Sequence, residues 1–202
     1  MIAKRLEGFL RTTVPQSSTD IVQRFQELRK FNLLPKSRGR SAEHLSDQEI
    51  VAGIMSTICD RPGYAGITTK ILLDLLPVGG ASASFYGADN LRDALILLFH
   101  DDVALQSVLE IRISDSEVGK NGHGRAAIIY LKENQEITAY YVRKEAASLL
   151  GPGAEKEYNP RASYLSAISE RVFFSRVFKL LAKELKQERE HMEIMSKFTK
   201  GS

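Results

Sequence analysis

Asn32-Leu33-Leu34-Pro35-Lys36-Ser37-Arg38-Gly39-Arg40-Ser41 is short, basic and fenced on both sides by amphipathic patterns. Its reading decides how the N-terminal part of the chain folds. Pro35 cannot sit in a helix interior, so the helix before it ends and the exit is stiffened. Arg38-Gly39-Arg40 sets two guanidinium groups around a residue without a side chain, which lets the backbone approach another surface closely. Taken alone, the tripeptide equally suits a solvated basic loop between two helices, and the flanks have to decide.

Upstream, residues 2–10 read as a helix with Ile2, Leu6, Phe9 and Leu10 on one face, and Val14-Pro15 breaks it. Ser17, Ser18 and Thr19 are the choices for the next N-cap. The helix that follows, to about residue 30, turns Ile21, Val22, Phe25 and Leu28 inward and shows Gln23, Arg24, Gln26, Arg29 and Lys30 on its other face. Downstream, Ser46-Asp47-Gln48-Glu49 is a capping box that opens a third helix carrying Ile50, Val51, Ile54, Met55 and Ile58. Helix, Pro-containing break, helix, basic loop, helix is the order of a helix-turn-helix with a wing. In that arrangement the second helix leads into the major groove of DNA with its N-terminal residues. Here these are Gln16, Ser17, Ser18 and Thr19, with Gln23 and Arg24 behind them. Ser and Thr bond phosphates or bases, Gln suits adenine and Arg suits guanine. The narrow minor groove of A·T-rich DNA attracts Arg, which suits Arg38 and Arg40, with Lys36 beside them. The same three helices also suit an ordinary helical core.

Leu28-Arg29-Lys30-Phe31-Asn32-Leu33-Leu34-Pro35-Lys36-Ser37-Arg38, closed by His44-Leu45-Ser46-Asp47-Gln48-Glu49-Ile50, resembles a segment of MerR-type winged helices. There a recognition helix runs into "G-L-L-P", an Arg-bearing wing and a capped helix. The segment is also similar to DNA-binding regulators of prophages and other mobile elements. The resemblance covers roughly the first quarter of the chain and implies a DNA-reading second helix and wing. Asn32 stands where that family prefers Gly, and Asn tolerates the same left-handed conformation.

Beyond residue 60 the pattern changes twice. Arg61-Pro62-Gly63 is a turn, and residues 67–76 read as a short apolar helix ended by Pro77 and Gly79-Gly80. Residues 81–88 read as a loop, and Asn90 caps a helix over 91–100. Period-two alternation then marks strands over 109–113, 126–131 and 137–142, a meander of antiparallel strands. Gly151-Pro152-Gly153 marks a boundary, and Asn159-Pro160 opens a long helix. Leu165, Ile168, Val172, Phe173, Val177, Leu181 and Leu185 recur along it at helical spacing, and charges dominate after Leu185. Its Phe173, Phe174, Phe178, Leu180 and Leu181 exceed one apolar stripe, which points to a dimer contact. Tyr140 and Tyr141, on opposite faces of the third strand, offer a sheet edge as the weaker candidate.

The 202 residues are 43% hydrophobic and 26% charged, an ordinary globular composition, and a net charge of +3 does not by itself argue for nucleic acid. A single cysteine, Cys59, excludes an intrachain disulfide and a Cys-based zinc site. The N-terminus reads as an amphipathic helix rather than a signal peptide, and no apolar run approaches the roughly 20 residues that span a bilayer. A cytoplasmic protein is the expectation. His44, His100, His123 and His191 lack metal-ligand spacing. The Gly-rich run Gly119–Arg125 lacks the spacing of a P-loop and leads into a strand. Asp101-Asp102 and Asp115/Glu117 have no partnered base, with Asp102 read as a helix end. No catalytic residue, metal or cofactor is expected, and no enzyme.

The sequence thus predicts an α+β, mainly helical chain. A winged helix-turn-helix DNA-binding region occupies residues 1–60. Residues 61–202 form a helical and antiparallel-sheet scaffold that dimerises through a long C-terminal helix. The expected function is a sequence-specific transcriptional regulator, of phage or mobile-element kind, binding double-stranded DNA as a homodimer through Ser17, Ser18, Thr19, Gln23, Arg24, Lys36, Arg38 and Arg40. The alternative is a phage-type DNA-packaging, assembly or adaptor protein without a regulatory role.

Overall fold

Local capping chemistry sets the N-terminal helices. A computed structural model describes residues 1–36, 44–114, 124–156, 158 and 171–200. In it α1 (Ala3–Thr13) stops at Val14, whose extended backbone leads into the Pro15 turn. Ser17 caps α2 (Ser18–Lys30) by accepting from the Asp20 N–H at 3.1 Å. The exit of α2 is a Schellman motif: Asn32 takes φ 56°, its N–H bonds to the Arg29 carbonyl at 3.2 Å, and the Leu33 N–H bonds to the Leu28 carbonyl at 2.9 Å. The left-handed tolerance expected of Asn32 is therefore in use. Ser46 and Glu49 close the expected capping box on α3 (Asp47–Met55). Ile2 pairs with His44 as an antiparallel bridge, and the Leu45 N–H bonds to the Met1 carbonyl at 2.7 Å. Chain start and α3 entry are thus held together.

Helix α3 is buried from Ile50 to its end and lies at the centre of the N-terminal half. α1 and α2 pack on it, and α4 (Ala65–Leu73) packs against both α2 and α3. The 67–76 helix of the sequence reading is shorter than expected. It gives way to β1 (Leu76–Pro77), because Leu76 and Pro77 pair with a strand far along the chain. Residues 81–88 hold two short 3₁₀ turns. Asn90 caps α5 (Leu91–Leu97) as expected.

The meander is present as β2 (Val108–Ser114), β3 (Arg125–Lys132) and β4 (Gln135–Val142), all antiparallel. Glu133 and Asn134, both at positive φ, make the two-residue β3–β4 turn. Two elements unforeseen in the sequence widen the sheet to the order β1-β4-β3-β2-β5, where β5 is Arg171–Phe174. β5 pairs with β2, so residues 171–174 are not helix. The long helix begins only at Ser175, as α8 (Ser175–Lys200); its expected start at Asn159-Pro160 lies outside the described residues. The edge of β4 is not open along its length either. β1 pairs with Tyr141 and Val142, and the Val78 N–H reaches the Tyr140 carbonyl. Asp101 and Asp102 do not end a helix: Asp101 accepts from Val103 and Ala104 and starts α6 (Asp102–Ser107). α7 (Lys144–Leu149) was also unforeseen.

One cluster of buried apolar side chains runs from Leu6 and Phe25 through Leu95 and Ile128 to Phe178, Leu181 and Leu185 of α8. It joins the helices to the inner face of an α+β, mainly helical fold. Phe178 and Leu181, expected to face a partner subunit, are core residues, while Leu180 is 43% exposed. No helix among the described residues is long and apolar enough to cross a membrane.

Tyr141 ties the sheet to the 3₁₀ turn that contains Phe85, accepting from the Phe85 N–H at 3.0 Å. Burial pushes its hydroxyl well above the ordinary tyrosine range, against the lowering effect of that bond, and Tyr130 adds to the rise. The folded state therefore holds the proton to higher pH than the unfolded chain does. The contribution of this group to stability is fully present below pH of about 10 and is expected to be lost as pH rises beyond it. Melting temperatures between about pH 8 and 11 check this, and Tyr141→Phe should flatten the alkaline fall. A melting temperature flat across that window contradicts it.

Candidate nucleic-acid interface

Helix α2 presents its start and one polar row. Thr19, Gln23, Gln26 and Lys30 follow one another at spacings of four, three and four residues, so they form a single row, and all four are exposed. Ser17 and Ser18 are exposed at the first turn, though the Ser17 hydroxyl is occupied as the cap. Four of the residues expected to read DNA, Ser17, Ser18, Thr19 and Gln23, are thus brought together on the first two turns. The positive end of the helix dipole lies at the same place. Lys36 is exposed but lies past the opposite end of α2, roughly 18 Å away for the twelve residues from Ser18 to Lys30. Arg38 and Arg40 lie outside the described residues.

Arg24 is not part of this face. It is only 2% exposed, and its Nη1 donates to the Ser56 carbonyl at 2.6 Å. Beside it the Gln16 Nε2 donates to the Thr57 carbonyl at 2.6 Å. Together they satisfy carbonyls at the C-terminal end of α3, where a cation also suits the helix dipole. The placement of Arg24 on the outer face and its reading of guanine are therefore corrected: its guanidinium is committed to the core.

Two exposed residues that the sequence reading passed over border the row. The 3₁₀ turn Pro62–Tyr64 packs against α2, and a Cβ at Gly63 would lie 3.8 Å from the Gln23 Nε2. This brings the turn that bears Arg61, exposed, and Tyr64, 58% exposed, against α2 at Gln23. The signal was present as Arg61-Pro62-Gly63-Tyr64, a cation and an aromatic on a turn, a pair that nucleic-acid surfaces favour. The same turn, with α4 behind it, covers one flank of α2. What the helix offers outward is its first turn and the single polar row.

The remaining candidates carry less. Cys59 is buried, and its sulfur accepts from Thr68. His100 bonds Asp47 at 2.6 Å, His44 lies 3.8 Å from Glu188, and His123 lies outside the described residues. Among the described residues no group of three or more His, Cys, Asp or Glu side chains is placed to hold a metal ion. Of the Gly-rich run only Gly124 and Arg125 are described, and Arg125 is buried on β3. No protein-family model matches this chain, and no curated protein and no solved structure matches it either.

Proposed function

We propose that the chain is a sequence-specific DNA-binding regulator. In this reading α1–α3 act as a helix-turn-helix and the basic segment 36–44 acts as its wing. The observation that carries the reading is the row Thr19, Gln23, Gln26 and Lys30, which starts at an exposed helix N-terminus and bears groups suited to bases and phosphates. The Ile2–His44 bridge supports it, since it pins the far end of the basic segment against the start of α1. Phosphate contacts come from Lys36, Arg38 and Arg40, base contacts from Ser18, Thr19 and Gln23, and Arg61 and Tyr64 extend the same surface.

The test is capture of genomic fragments by the full chain, followed by anisotropy titration of any enriched site. Arg38→Ala with Arg40→Ala is expected to weaken all DNA binding and to reduce the salt slope by up to about one unit per lost phosphate contact. Gln23→Ala is expected to cost about 1–3 kcal/mol on the specific site and little on unrelated DNA. Equal losses on both kinds of DNA remove the base-reading role. The flank of α2 covered by Pro62–Tyr64 limits how deeply the helix enters a groove, and this favours the second reading, a DNA-packaging or assembly protein. Uniform recovery of fragments selects it.

A regulator with one small reading module gains specificity by pairing two copies on a two-fold site, so we further propose a homodimer. With Phe178 and Leu181 in the core, the contact moves to the exposed Met192, Ile194 and Met195 near the end of α8. Light scattering should return twice the chain mass at micromolar concentration, and Ile194→Glu should return a monomer. A parent chain that is already monomeric removes the proposal.

A further inference from the structure

A cleft of 490 Å³ opens between α8 and the corner formed by α5 and α6. Its α8 wall is basic. Lys179, Lys183, Lys186 and Arg189 line it at spacings of four, three and three residues, a strip about 15 Å long on one side of the helix. The α5–α6 side of its lining is mostly apolar, with Leu98, Phe99 and Leu105, and also carries His100 and Asp102. Two acids of α8 are engaged elsewhere: Glu184 bonds Arg5 of α1 at 3.1 Å, and Glu188 lies 3.8 Å from the same guanidinium. Among the described residues no carboxylate lies within ion-pair distance of Lys179, Lys183 or Lys186. Arg189 and His100 share the carboxylate of Asp47, at 2.9 and 2.6 Å.

We propose that this cleft binds an organic phosphate, with the phosphoryl groups on Lys183, Lys186 and Arg189 and the apolar body on the Phe99 and Leu105 side. Lys179, Lys183 and Lys186, which have no carboxylate within ion-pair distance among the described residues, call together with Arg189 for a multiply charged anion. A phosphoryl group brings up to about two charges and three acceptor oxygens, where a carboxylate brings one charge. The volume falls in the range of small-ligand sites, and the mixed apolar and charged lining is what such sites are built from. A nucleic-acid backbone would use the lysines and leave the apolar side idle. The inference stands apart from the DNA reading, because none of these residues belongs to the α2 surface. It also gives Asp47, in the first turn of α3, a role: it holds Arg189 until a phosphate competes for it.

Calorimetric titration of the full-length protein with ATP, with pyrophosphate and with duplex DNA, in magnesium-free buffer, tests this. ATP is expected to bind with a Kd well below about 1 mM, and pyrophosphate about tenfold more weakly for lack of the apolar body. Lys183→Ala and Lys186→Ala, both at exposed positions, are expected to weaken ATP about tenfold each. Asp47→Asn is expected to tighten it about threefold by releasing Arg189. No ATP binding below millimolar overturns the proposal. So does an ATP affinity untouched by the lysine variants, or pyrophosphate binding as tightly as ATP. Lysine variants that weaken duplex DNA in a protein that does not take up ATP also overturn it and give the cleft to a polymer backbone.

Discussion

Arg24→Ala is expected to destabilise the fold by about 3–4 kcal/mol, the sum of an orphaned carbonyl and an incompletely collapsed cavity. The Ser56 carbonyl would lose the donor that reaches it at 2.6 Å inside the protein. The hydrocarbon stem of Arg24 packs on the same side of α2 as Ile21, Phe25 and Leu28, all fully buried. Removing a buried cation also removes its desolvation cost, so the net loss stays below the simple sum of contacts. Arg24→Met separates the parts: it keeps most of the stem volume and loses the guanidinium with its polar interactions, the donor to Ser56 among them, at about 1–3 kcal/mol. Gln23→Ala, one position away but outward, should stay within about 0.5 kcal/mol of the parent. Urea denaturation of the three variants decides. An Arg24→Ala protein as stable as the parent would return the guanidinium to the surface and reopen its part in reading DNA.

The burial of Arg24 is legible in its spacing along α2, against the outward face that its charge suggests. Positions 21, 24, 25 and 28 are spaced i, i+3, i+4 and i+7, the inward stripe of a helix, and only the charge of Arg argued for the outer face. Position outweighs residue type here because a helix end, that of α3, needs donors where this stripe meets it. The caps at Ser46 and Asn90, the left-handed Asn32 and the three-strand meander were readable because each is fixed by neighbours in sequence. The strand β5 was not. Val172 and Phe173 fit the helical row that continues through Val177 and Leu181, and what makes them a strand is pairing with Ile111 and Arg112, some sixty residues earlier. β1 is two residues long and owes its existence to β4 in the same way. α6 and α7 have six residues each, too few for a period to show. Of the candidate surface, Ser17, Ser18, Thr19 and Gln23 were found from the helix start. Arg61 and Tyr64 were missed because only the packing of α4 on α2 brings their turn against Gln23.

That packing depends on Gly66, and replacing it supplies the second large effect. A Cβ on Gly66 would lie 2.3 Å from the Phe31 Cδ2 and 2.8 Å from the Glu27 carbonyl oxygen. Phe31, 38% exposed at the end of α2, has room to swing aside, but the Glu27 carbonyl is helix backbone and does not. α4 must then move away from α2, carrying with it the turn that bears Arg61 and Tyr64 and lies against Gln23. Overpacking of this kind costs about 1–3 kcal/mol, and the better helix propensity of Ala offsets up to about 1 kcal/mol, so Gly66→Ala is expected to lose about 2 kcal/mol. Two other glycines calibrate the result. At Gly53 the nearest atom is the Leu6 Cδ2 at 2.6 Å, the tip of a side chain that can rotate, so Gly53→Ala should lose less. At Gly8, inside α1, no side chain or other element among the described residues lies within 4 Å of such a Cβ, and Gly8→Ala should gain about 0.5–1 kcal/mol. Chemical denaturation should therefore rank the variants Gly8→Ala, parent, Gly53→Ala, Gly66→Ala in falling stability. Gly66→Ala should also weaken any DNA binding that Tyr64→Ala weakens, since both act on the turn against Gln23. A Gly66→Ala protein as stable as Gly8→Ala would mean that α4 does not press on α2, and the case for the turn of Arg61 and Tyr64 against Gln23 would fall with it.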